Sequence, residues 1–409
     1  MLYYSLVRKK SEDSTMNDFT YYTPTKVVFG KNSEQQLGAL IKEFGGHKVL
    51  IHYGGGSARK SGLLDRIEKT LEAEGIAYAE LGGVVPNPRL SLVREGIALC
   101  KKEGVDFLLA VGGGSVIDSC KAIGYGVYGG GDVWDFYDFK RVPQGCLPIG
   151  TVLTIAAAGS EMSDSSVITN DESESWEKRG CNSNHCRVKF AVMNPELTMT
   201  LPAYQTACGC ADILMHTMER YFNHSDNMEL TDGIAEALMR TVLHNAQVLV
   251  EKPDDYDARA EVMWAGSLSH NGLTGCGTDG GDWSTHKLEH EIGAMFDVAH
   301  GAGLTAIWGS WARYVCDARL NRFVKFAANV MGVEEQENEK QTALKGIEAM
   351  EAFYRTIGMP TSFTELGIAP TDAQIEALAD QCVASTRDNL GKVKHLAKAD
   401  MIAIYQAAK

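Results

Sequence analysis

The chain has 409 residues, 44% of them hydrophobic and 22% charged, which is the composition of an ordinary globular protein long enough to form two domains. Its formal charge of −14 at pH 7 argues against a nucleic-acid partner or an acidic membrane surface, because both repel a negatively charged protein. No apolar run in the sequence approaches the roughly 20 residues that span a bilayer, so no membrane partner is predicted either.

The amino terminus and the cysteines favour a cytoplasmic location. The first ten residues place their basic side chains after a short apolar segment, which is the wrong order for a secretory signal. The ten cysteines are scattered without any CxxC pair, and disulfide frameworks are uncommon in long chains without a signal. Because translation could also start at Met16, we expect residues 1–15 to be an N-terminal extension that packs poorly.

Short strands and amphipathic helices alternate through the first half of the chain. Periodicity predicts strands at residues 48–53, 77–81, 107–111, 147–153 and 189–193, helices at residues 63–74 and 90–104, and a polar hairpin or loop at residues 163–187. The segment 107–111 is apolar at every position, as in strands that are buried on both faces. The alternation predicts a parallel sheet covered by helices on both sides.

A glycine-rich turn follows the apolar strand at residues 107–111. It runs from Gly112 through Gly114 to Asp118, before a helix predicted at residues 119–124. A glycine turn between a strand and a helix lets the backbone approach a pyrophosphate, which the N–H groups at the helix N-terminus then bind. The turn is the strongest phosphate-binding hypothesis in the sequence, although a purely structural turn explains the pattern nearly as well.

The strand at residues 48–53 ends in a second glycine turn, which bears on the choice of cofactor. Enzymes that prefer NAD commonly carry an acidic residue after the corresponding strand, where it binds the ribose 2′-hydroxyl and repels a 2′-phosphate. Here three glycines and Ser57 stand in that place, and Arg59 and Lys60 follow. An uncharged turn with nearby cations favours NADP(H), with NAD(H) as the alternative.

The sequence pattern changes near residue 198. From residue 202 to residue 407 the apolar spacing is helical almost throughout, with breaks at glycines and prolines. We therefore predict an α/β dinucleotide-binding domain at residues 16–198 and an all-helical, metal-binding domain at residues 199–409.

Histidines are concentrated in the helical half. His286, His290 and His300 lie close together in a chain that has only 11 histidines. On one unbroken helix His286 and His300 would be about 21 Å apart, so they can share an ion only if the chain turns back between them. A break near residues 296–297, followed by a glycine corner at residues 301–303, allows that return.

Two further ligands are predicted upstream. Asp212 and His216 lie four residues apart in a segment with helical spacing, so their side chains share a face and can aim at one point. An aspartate with three histidines suits Fe(II), Zn(II), Mn(II) or Ni(II) and leaves room for a substrate oxygen. The alternative is that these are core or surface histidines on unrelated helices, and spacing alone supports the two interpretations about equally.

Taken in order, these motifs resemble those of the iron-dependent (group III) alcohol dehydrogenases. The shared features are the glycine turn with Asp118, the Gly159-Ser-Glu segment, Lys189, Asp212-x(3)-His216 and His286-x(3)-His290-x(9)-His300. The resemblance extends over roughly residues 18–400, and it is strongest to the branch of butanol dehydrogenases and NADPH-dependent aldehyde reductases.

The resemblance implies a fold and a set of site residues. The fold is an N-terminal α/β dinucleotide-binding domain with a parallel sheet, followed by an all-α C-terminal domain, in the dehydroquinate synthase-like arrangement with a cleft between the two. One divalent metal, Fe²⁺ or Zn²⁺, would be bound by Asp212, His216, His286 and His300, and His290 would be a catalytic residue near the nicotinamide. The cofactor groove would be lined by Gly55, Gly56, Ser57, Gly113, Gly114, Ser115, Asp118 and Thr154, with Lys189 near the nicotinamide ribose.

The implied activity is that of a metal-dependent alcohol dehydrogenase or aldehyde reductase. Such an enzyme transfers hydride between NADP(H) and a primary alcohol or aldehyde such as butanol or butanal, while the metal polarises the carbonyl. The resemblance also implies a homodimer. An NAD-dependent polyol dehydrogenase of the glycerol type and a dehydroquinate synthase-like lyase are the alternatives within this fold, and a non-catalytic binding or assembly protein is the alternative outside it.

Overall fold

The computed structural model describes residues 16–173 and 176–409, so the extension predicted at residues 1–15 lies outside the described residues. The described strands are β1 (Lys26–Phe29), β2 (Lys48–Gly54), β3 (Ala77–Val84), β4 (Phe107–Gly112), β5 (Ile149–Leu153), β6 (Ser165–Asn170), β7 (Glu177–Asn182) and β8 (Phe190–Met193). The helices of the first half are α1 (Leu37–Glu43), α2 (Ser57–Lys60), α3 (Leu63–Ala73), α4 (Leu90–Glu103), α5 (Gly114–Gly129) and α6 (Trp134–Tyr137).

The second half of the chain is helical. Its helices are α7 (Ala203–Tyr221), α8 (Glu229–Glu251), α9 (Tyr256–His270), α10 (Ser284–Phe296), α11 (His300–Val315), α12 (Leu320–Asn329), α13 (Glu339–Thr356), α14 (Phe363–Leu366), α15 (Asp372–Thr386) and α16 (Lys398–Ala407). Short 3₁₀ helices lie at Ser33–Gln36, Asn184–Cys186, Pro195–Thr198, Leu273–Gly275 and Cys316–Arg319. Within residues 16–173 and 176–409, no helix is both long and apolar enough to cross a bilayer.

Six strands form one parallel sheet in the order β1-β8-β5-β4-β2-β3, and β6 pairs with β7 as an antiparallel hairpin. Alternate residues of β4 face two different cores, because Leu108 and Ala110 pack in one cluster and Phe107 and Leu109 in the other. Helices on both sides of the sheet supply the rest of these cores. This explains why residues 107–111 are apolar throughout, and it confirms the predicted fold class.

The structure differs from the sequence prediction at several places in the first half. The edge strand β1 and the helix α1 were not predicted, since both are short and β1 is partly exposed. Helix α5 begins at Gly114 rather than at residue 119. The carbonyl of Gly113 accepts hydrogen bonds from the N–H groups of Val116 and Ile117, so the glycine turn is itself the first turn of the helix.

The helical half is built around α7, whose middle and end are buried. An aromatic cluster supports it: the ring of Phe222 lies 4.4 Å from that of Phe323 and 5.8 Å from that of Trp311. Between α10 and α11 the chain reverses at Asp297, which takes a φ of 48°. A left-handed residue ends a helix because the next turn cannot continue, so α11 begins in a new direction at His300.

A buried histidine joins three elements of the sheet half. The Nδ1 of His52 on β2 lies 2.7 Å from the carbonyl of Leu81 on β3, and its Nε2 lies 2.8 Å from the hydroxyl of Ser119 on α5. A carbonyl only accepts, so Nδ1 donates and Nε2 accepts from the hydroxyl. Burial lowers the pKa of His52 to about 4, and the ring is therefore neutral.

Candidate active site

A large cavity lies where the carboxyl ends of β2, β4 and β5 face the helical half. Its volume is about 1400 Å³, above the ~300–1,000 Å³ that is common for small-molecule sites. The predicted residues that line it are Gly55, Ser57, Gly113, Gly114, Ser115, Asp118, Thr154, Asp212, His216, His286, His290 and His300. The fold therefore brings most of the predicted site residues to one space.

The glycines of the sheet side permit close packing. A Cβ on Gly113 would lie 2.9 Å from the Cβ of Ile155, and a Cβ on Gly114 would lie 2.9 Å from that of Ala158. Either would displace the loop that follows β5. Because α5 starts at Gly114 and its first turn lines the cavity, backbone N–H groups are available to an anion. This side of the cavity fits the phosphates of a nucleotide.

The turn after β2 contributes backbone to the cavity rather than charge. Gly56 takes a φ of 116°, a conformation that glycine adopts without strain. The guanidinium of Arg59 forms ion pairs with the carboxylates of Asp65, Glu68 and Glu80. Of the two nearby cations that the sequence offered for a 2′-phosphate, Arg59 is therefore already paired with three acids.

Asp118 supports the loop after β5 from inside the protein. Its carboxylate accepts hydrogen bonds from the hydroxyl of Ser160 and the N–H of Val167, and burial raises its pKa in spite of the neighbouring Lys121. The ammonium of Lys121, which is fully buried, donates to the carbonyls of Ser160 and Ser165, both at 2.7 Å. Asp118 lines the cavity as predicted, but one of its oxygens holds the loop after β5 through Ser160 and the other holds strand β6 through Val167.

Four predicted ligand residues converge on the helical side. Ligand atoms of Asp212, His216 and His286 lie within 4.8 Å of one another. The Oδ1 of Asp212 is 3.4 Å from the Nδ1 of His216, 3.5 Å from the Nε2 of His286 and 3.8 Å from the Nε2 of His300. Helix α7 supplies the first two from one face, and the reversal at Asp297 returns His300 to the group.

Three of these polar atoms are buried without a partner. The Oδ1 of Asp212, the Nδ1 of His216 and the Nε2 of His286 have no hydrogen-bond partner among the described residues. An unpaired buried polar atom costs roughly 1–3 kcal/mol, and carboxylate with imidazole is a common donor set for divalent transition metals. The residues present therefore fit a divalent ion.

Two buried carboxylates orient the histidine rings. Glu219 accepts a hydrogen bond from the backbone N–H of His286 at 2.9 Å and contacts its Nδ1 at 2.5 Å. Glu289 contacts the Nδ1 of His300. Because an ionised carboxylate only accepts, each Nδ1 carries a hydrogen and each Nε2 is directed toward Asp212. Histidine ligands of metals are commonly held in this way.

The buried charges determine the protonation of the group. Burial disfavours the ionised form of Asp212, but the surrounding histidines hold its pKa well below its ordinary value. Burial lowers the pKa of His216. Burial also opposes a charge on His286, but Glu219 and Asp212 outweigh it and raise its pKa to about 9. His286 must therefore lose a proton when an ion binds.

A second set of ligand-type atoms, on Glu289, His290 and His300, already contains a cation. The Nζ of Lys178 lies 3.3 Å from the Oε2 of Glu289 and 3.4 Å from the Nδ1 of His300. This ammonium supplies the positive charge of a second ion, so the arrangement fits one metal. Burial, with Lys178 nearby, lowers the pKa of His290 well below its ordinary value.

The structure places Lys189, which was predicted to lie near the nicotinamide ribose, outside the lining of the cavity. Lys189 is exposed and precedes β8, and its backbone N–H donates to the carbonyl of Ile149 at the start of β5. Parallel sheets bind ligands at the carboxyl ends of their strands, so Lys189 lies at the opposite end of the sheet. Lys178 on β7 lines the cavity instead.

Three further site residues, Glu219, Glu289 and Lys178, were missed in the sequence. A signal for the two glutamates was present, because Glu219 follows Asp212 by seven residues and Glu289 follows His286 by three. Both are helical spacings that place side chains on one face. Lys178 gives no such signal, since only the folded hairpin carries it to the ligands.

Two family models match the sequence. "Iron-containing alcohol dehydrogenase" matches residues 24–195, and "Fe-containing alcohol dehydrogenase family, C-terminal" matches residues 206–409. The chain belongs to the iron-containing alcohol dehydrogenase family. The predicted family and the prediction of an enzyme are thereby confirmed.

Relatives and solved structures agree with this assignment. The chain is 40% identical to NADH-dependent butanol dehydrogenase A of Clostridium acetobutylicum, over 96% of this chain and 99% of that protein. It is 32% identical to the NADPH-dependent aldehyde reductase YqhD of Escherichia coli, over 96% of this chain and 100% of that protein. The crystal structure of NADH-dependent butanol dehydrogenase A from Thermotoga maritima is similar with a TM-score of 0.92 at 38% identity, covering 96% of this chain and 99% of that one.

Proposed function

We propose that the protein is a metal-dependent alcohol dehydrogenase or aldehyde reductase that transfers hydride between NADP(H) or NAD(H) and a primary alcohol or aldehyde, such as butanol and butanal. One observation carries this proposal: Asp212, His216 and His286, whose ligand atoms have no hydrogen-bond partner in the described part of the chain, line the same cavity as the first turn of α5. A cluster of metal ligands beside a phosphate-binding turn would allow a small substrate to contact a bound metal ion and a bound nucleotide at the same time.

The ion would be held by Asp212, His216, His286 and His300, whose donor set suits Fe²⁺ and Zn²⁺ alike. When bound, the ion polarises the substrate oxygen as a Lewis acid, and a reduced nicotinamide supplies the hydride. Glu219 and Glu289 keep two of the imidazole rings in the orientation that a ligand needs. The burial of Asp212, His216 and His286 strengthens the electrostatic interactions of the group.

His290 is the residue we propose for proton transfer. Its ring centroid lies 5.9 Å from that of His300, and it lines the cavity. Its lowered pKa keeps the ring neutral, so it can pass a proton between the substrate oxygen and water in either direction without retaining it.

The cofactor preference that we propose is NADP(H), with NAD(H) also accepted. The turn after β2 carries no acid that would repel a 2′-phosphate, which supports NADP(H). The three acids around Arg59 reduce the attraction that this cation offers, and the relatives named above include both NADH-dependent and NADPH-dependent enzymes. Parallel rate measurements with the two reduced cofactors test the preference.

The test of the function is loss of NADPH or NADH absorbance with butanal under anaerobic conditions, on metal-stripped protein and again after adding Fe²⁺ or Zn²⁺. We expect turnover only after the metal is added, and the same treatment of Asp212→Asn should leave the protein inactive. Equal turnover without metal would refute the metal-dependent mechanism. Glycerol oxidation with NAD⁺, without butanal reduction, would favour the polyol dehydrogenase instead.

We also propose a cytoplasmic homodimer. Phe19, Tyr22 and Phe29 are large exposed apolar side chains in or near the edge strand β1, and sheet edges are common places for chains to associate. Analytical ultracentrifugation should give the mass of two chains, and the mass of a single chain at micromolar concentration would contradict the dimer.

A further inference from the structure

A buried arginine beside the proposed ligands has a fixed orientation. The NH1 of Arg220 donates to the carbonyl of His216 at 2.9 Å and to that of Ser269 at 3.0 Å. Its guanidinium also lies over the indole of Trp283, 4.6 Å from the ring centroid. These contacts leave its NH2 directed at the Nδ1 of His270, at 3.3 Å.

This contact determines which nitrogen of His270 carries the hydrogen. An arginine N–H can only donate, so the Nδ1 of His270 must accept. The ring is then neutral and carries its hydrogen on Nε2. Among the described residues, the contact with Arg220 is the one hydrogen bond found for the ring of His270, and His270 lines the cavity. His270 therefore offers the cavity a hydrogen-bond donor that the protein does not use.

His270 lies next to the proposed ligands without joining them. Its ring centroid is 4.0 Å from that of His216 and 5.9 Å from that of Trp283, whose indole forms an apolar wall of the cavity. The backbone at Gly159 packs against it, since a Cβ built there would lie 2.8 Å from the Cβ of His270. The N–H donor of His270 is thus held in a fixed position. It lies next to His216, one of the residues that would hold the metal and, with it, the reacting oxygen.

We propose that the Nε2–H of His270 binds a second oxygen of the substrate, so that the enzyme favours aldehydes and alcohols with a hydroxyl or carbonyl group on the second or third carbon. The proposal rests on the proposed function, because it concerns the substrate of the same site. A substrate with a plain alkyl chain covers the Nε2–H of His270 and leaves it without an acceptor, which weakens binding. A substrate with an oxygen at that place accepts the hydrogen bond.

The first experiment compares kcat/KM for 3-hydroxybutanal and for butanal in the metal-loaded enzyme. His270→Leu should lower the ratio of the two values about tenfold, since it removes one hydrogen bond to the hydroxylated substrate. His270→Gln keeps an N–H near the same place and should restore part of the ratio. Trp264→Phe, an exposed residue on the same helix α9, is the control and should leave it unchanged.

Two results would overturn the inference and leave the proposed function standing. One is an equal change in kcat/KM for both aldehydes in His270→Leu. The other is a change confined to the KM of the nucleotide, which would make the cofactor the group that His270 binds. If the wild type reduced no aldehyde with either cofactor, the proposed function and this inference would both be wrong.

A second measurement tests the ring itself without turnover. In ¹⁵N spectra of histidine-labelled protein, comparison with His270→Leu assigns the resonances of His270. A neutral ring with its hydrogen on Nε2 supports the inference. A hydrogen on Nδ1, or a charged ring at neutral pH, would overturn it even in an active enzyme.

Discussion

Glu219 holds His286 through two contacts, one to its backbone N–H at 2.9 Å and one to its ring Nδ1 at 2.5 Å. Both side chains are buried, so water does not compete for these bonds. The carboxylate therefore determines the direction of the ring and leaves Nε2 free on the side of Asp212.

Replacement of this carboxylate should weaken metal binding. In Glu219→Gln we expect the dissociation constant of the ion to rise about 10- to 100-fold, because an amide holds the ring less strongly. Competition with a chelator, followed by metal analysis, measures this. Glu236→Gln removes another buried carboxylate, one that accepts from the hydroxyl of Tyr221, and should leave the affinity unchanged. An unaltered affinity in Glu219→Gln would show that the contact does not position the ligand.

Loss of a metal ligand should abolish metal binding without weakening nucleotide binding. Asp212→Ala or His286→Ala should abolish metal retention and turnover, while the affinity for NADPH, whose phosphates would bind at the turn before α5, stays nearly the same. Metal content and fluorescence titration with NADPH give the two readouts. Full metal occupancy in either variant would remove that residue from the proposed ligand set.

The glycine turn should be sensitive to a single methyl group. Gly113→Ala places a Cβ 2.9 Å from Ile155, so the loop after β5 must shift and nucleotide binding should weaken at least several-fold. Gly233→Ala lies on helix α8, where the new Cβ meets nothing within 4 Å, and it should bind nucleotide like the wild type and gain up to about 1 kcal/mol of stability. Equal nucleotide affinity in both variants would contradict the proposed phosphate site.

His52 should make the free energy of unfolding depend on pH. Its pKa is about 4 in the folded protein because of burial and about 6.5 in an unfolded chain. As the pH falls from 6.5 toward 4, only the unfolded chain takes up the proton, so up to about 3 kcal/mol of stability is lost. Above pH 6.5 this contribution is complete. In His52→Gln the melting temperature should fall less between neutral and mildly acidic pH than in the wild type, and an equal fall would contradict the assignment.

Local patterns were enough to predict five of the six strands of the parallel sheet and to group Asp212 with the histidines, whereas most of the cofactor-groove residues were implied by the family resemblance. The apolar segment 107–111 has both faces covered, and the helical spacing of Asp212 and His216 puts them on one face, so both features are visible in the sequence. Lys178 was missed because its position depends on the pairing of β6 with β7. His270 was missed because its hydrogen is placed by Arg220, 50 residues away in the chain. The ligand roles and the domain boundaries stay predictions.

The reversal between α10 and α11 is made by a short connector. Asp297 follows the end of one helix and His300 begins the next, so a longer connector would let the start of α11 shift and carry His300 away from Asp212. The two helices and the core around Trp308 would still have the contacts that they need to fold. A homologue with a longer connector at this point should therefore keep the scaffold and the nucleotide turn and hold its fourth ligand less firmly, so the length of this connector belongs to the metal site as much as to the fold.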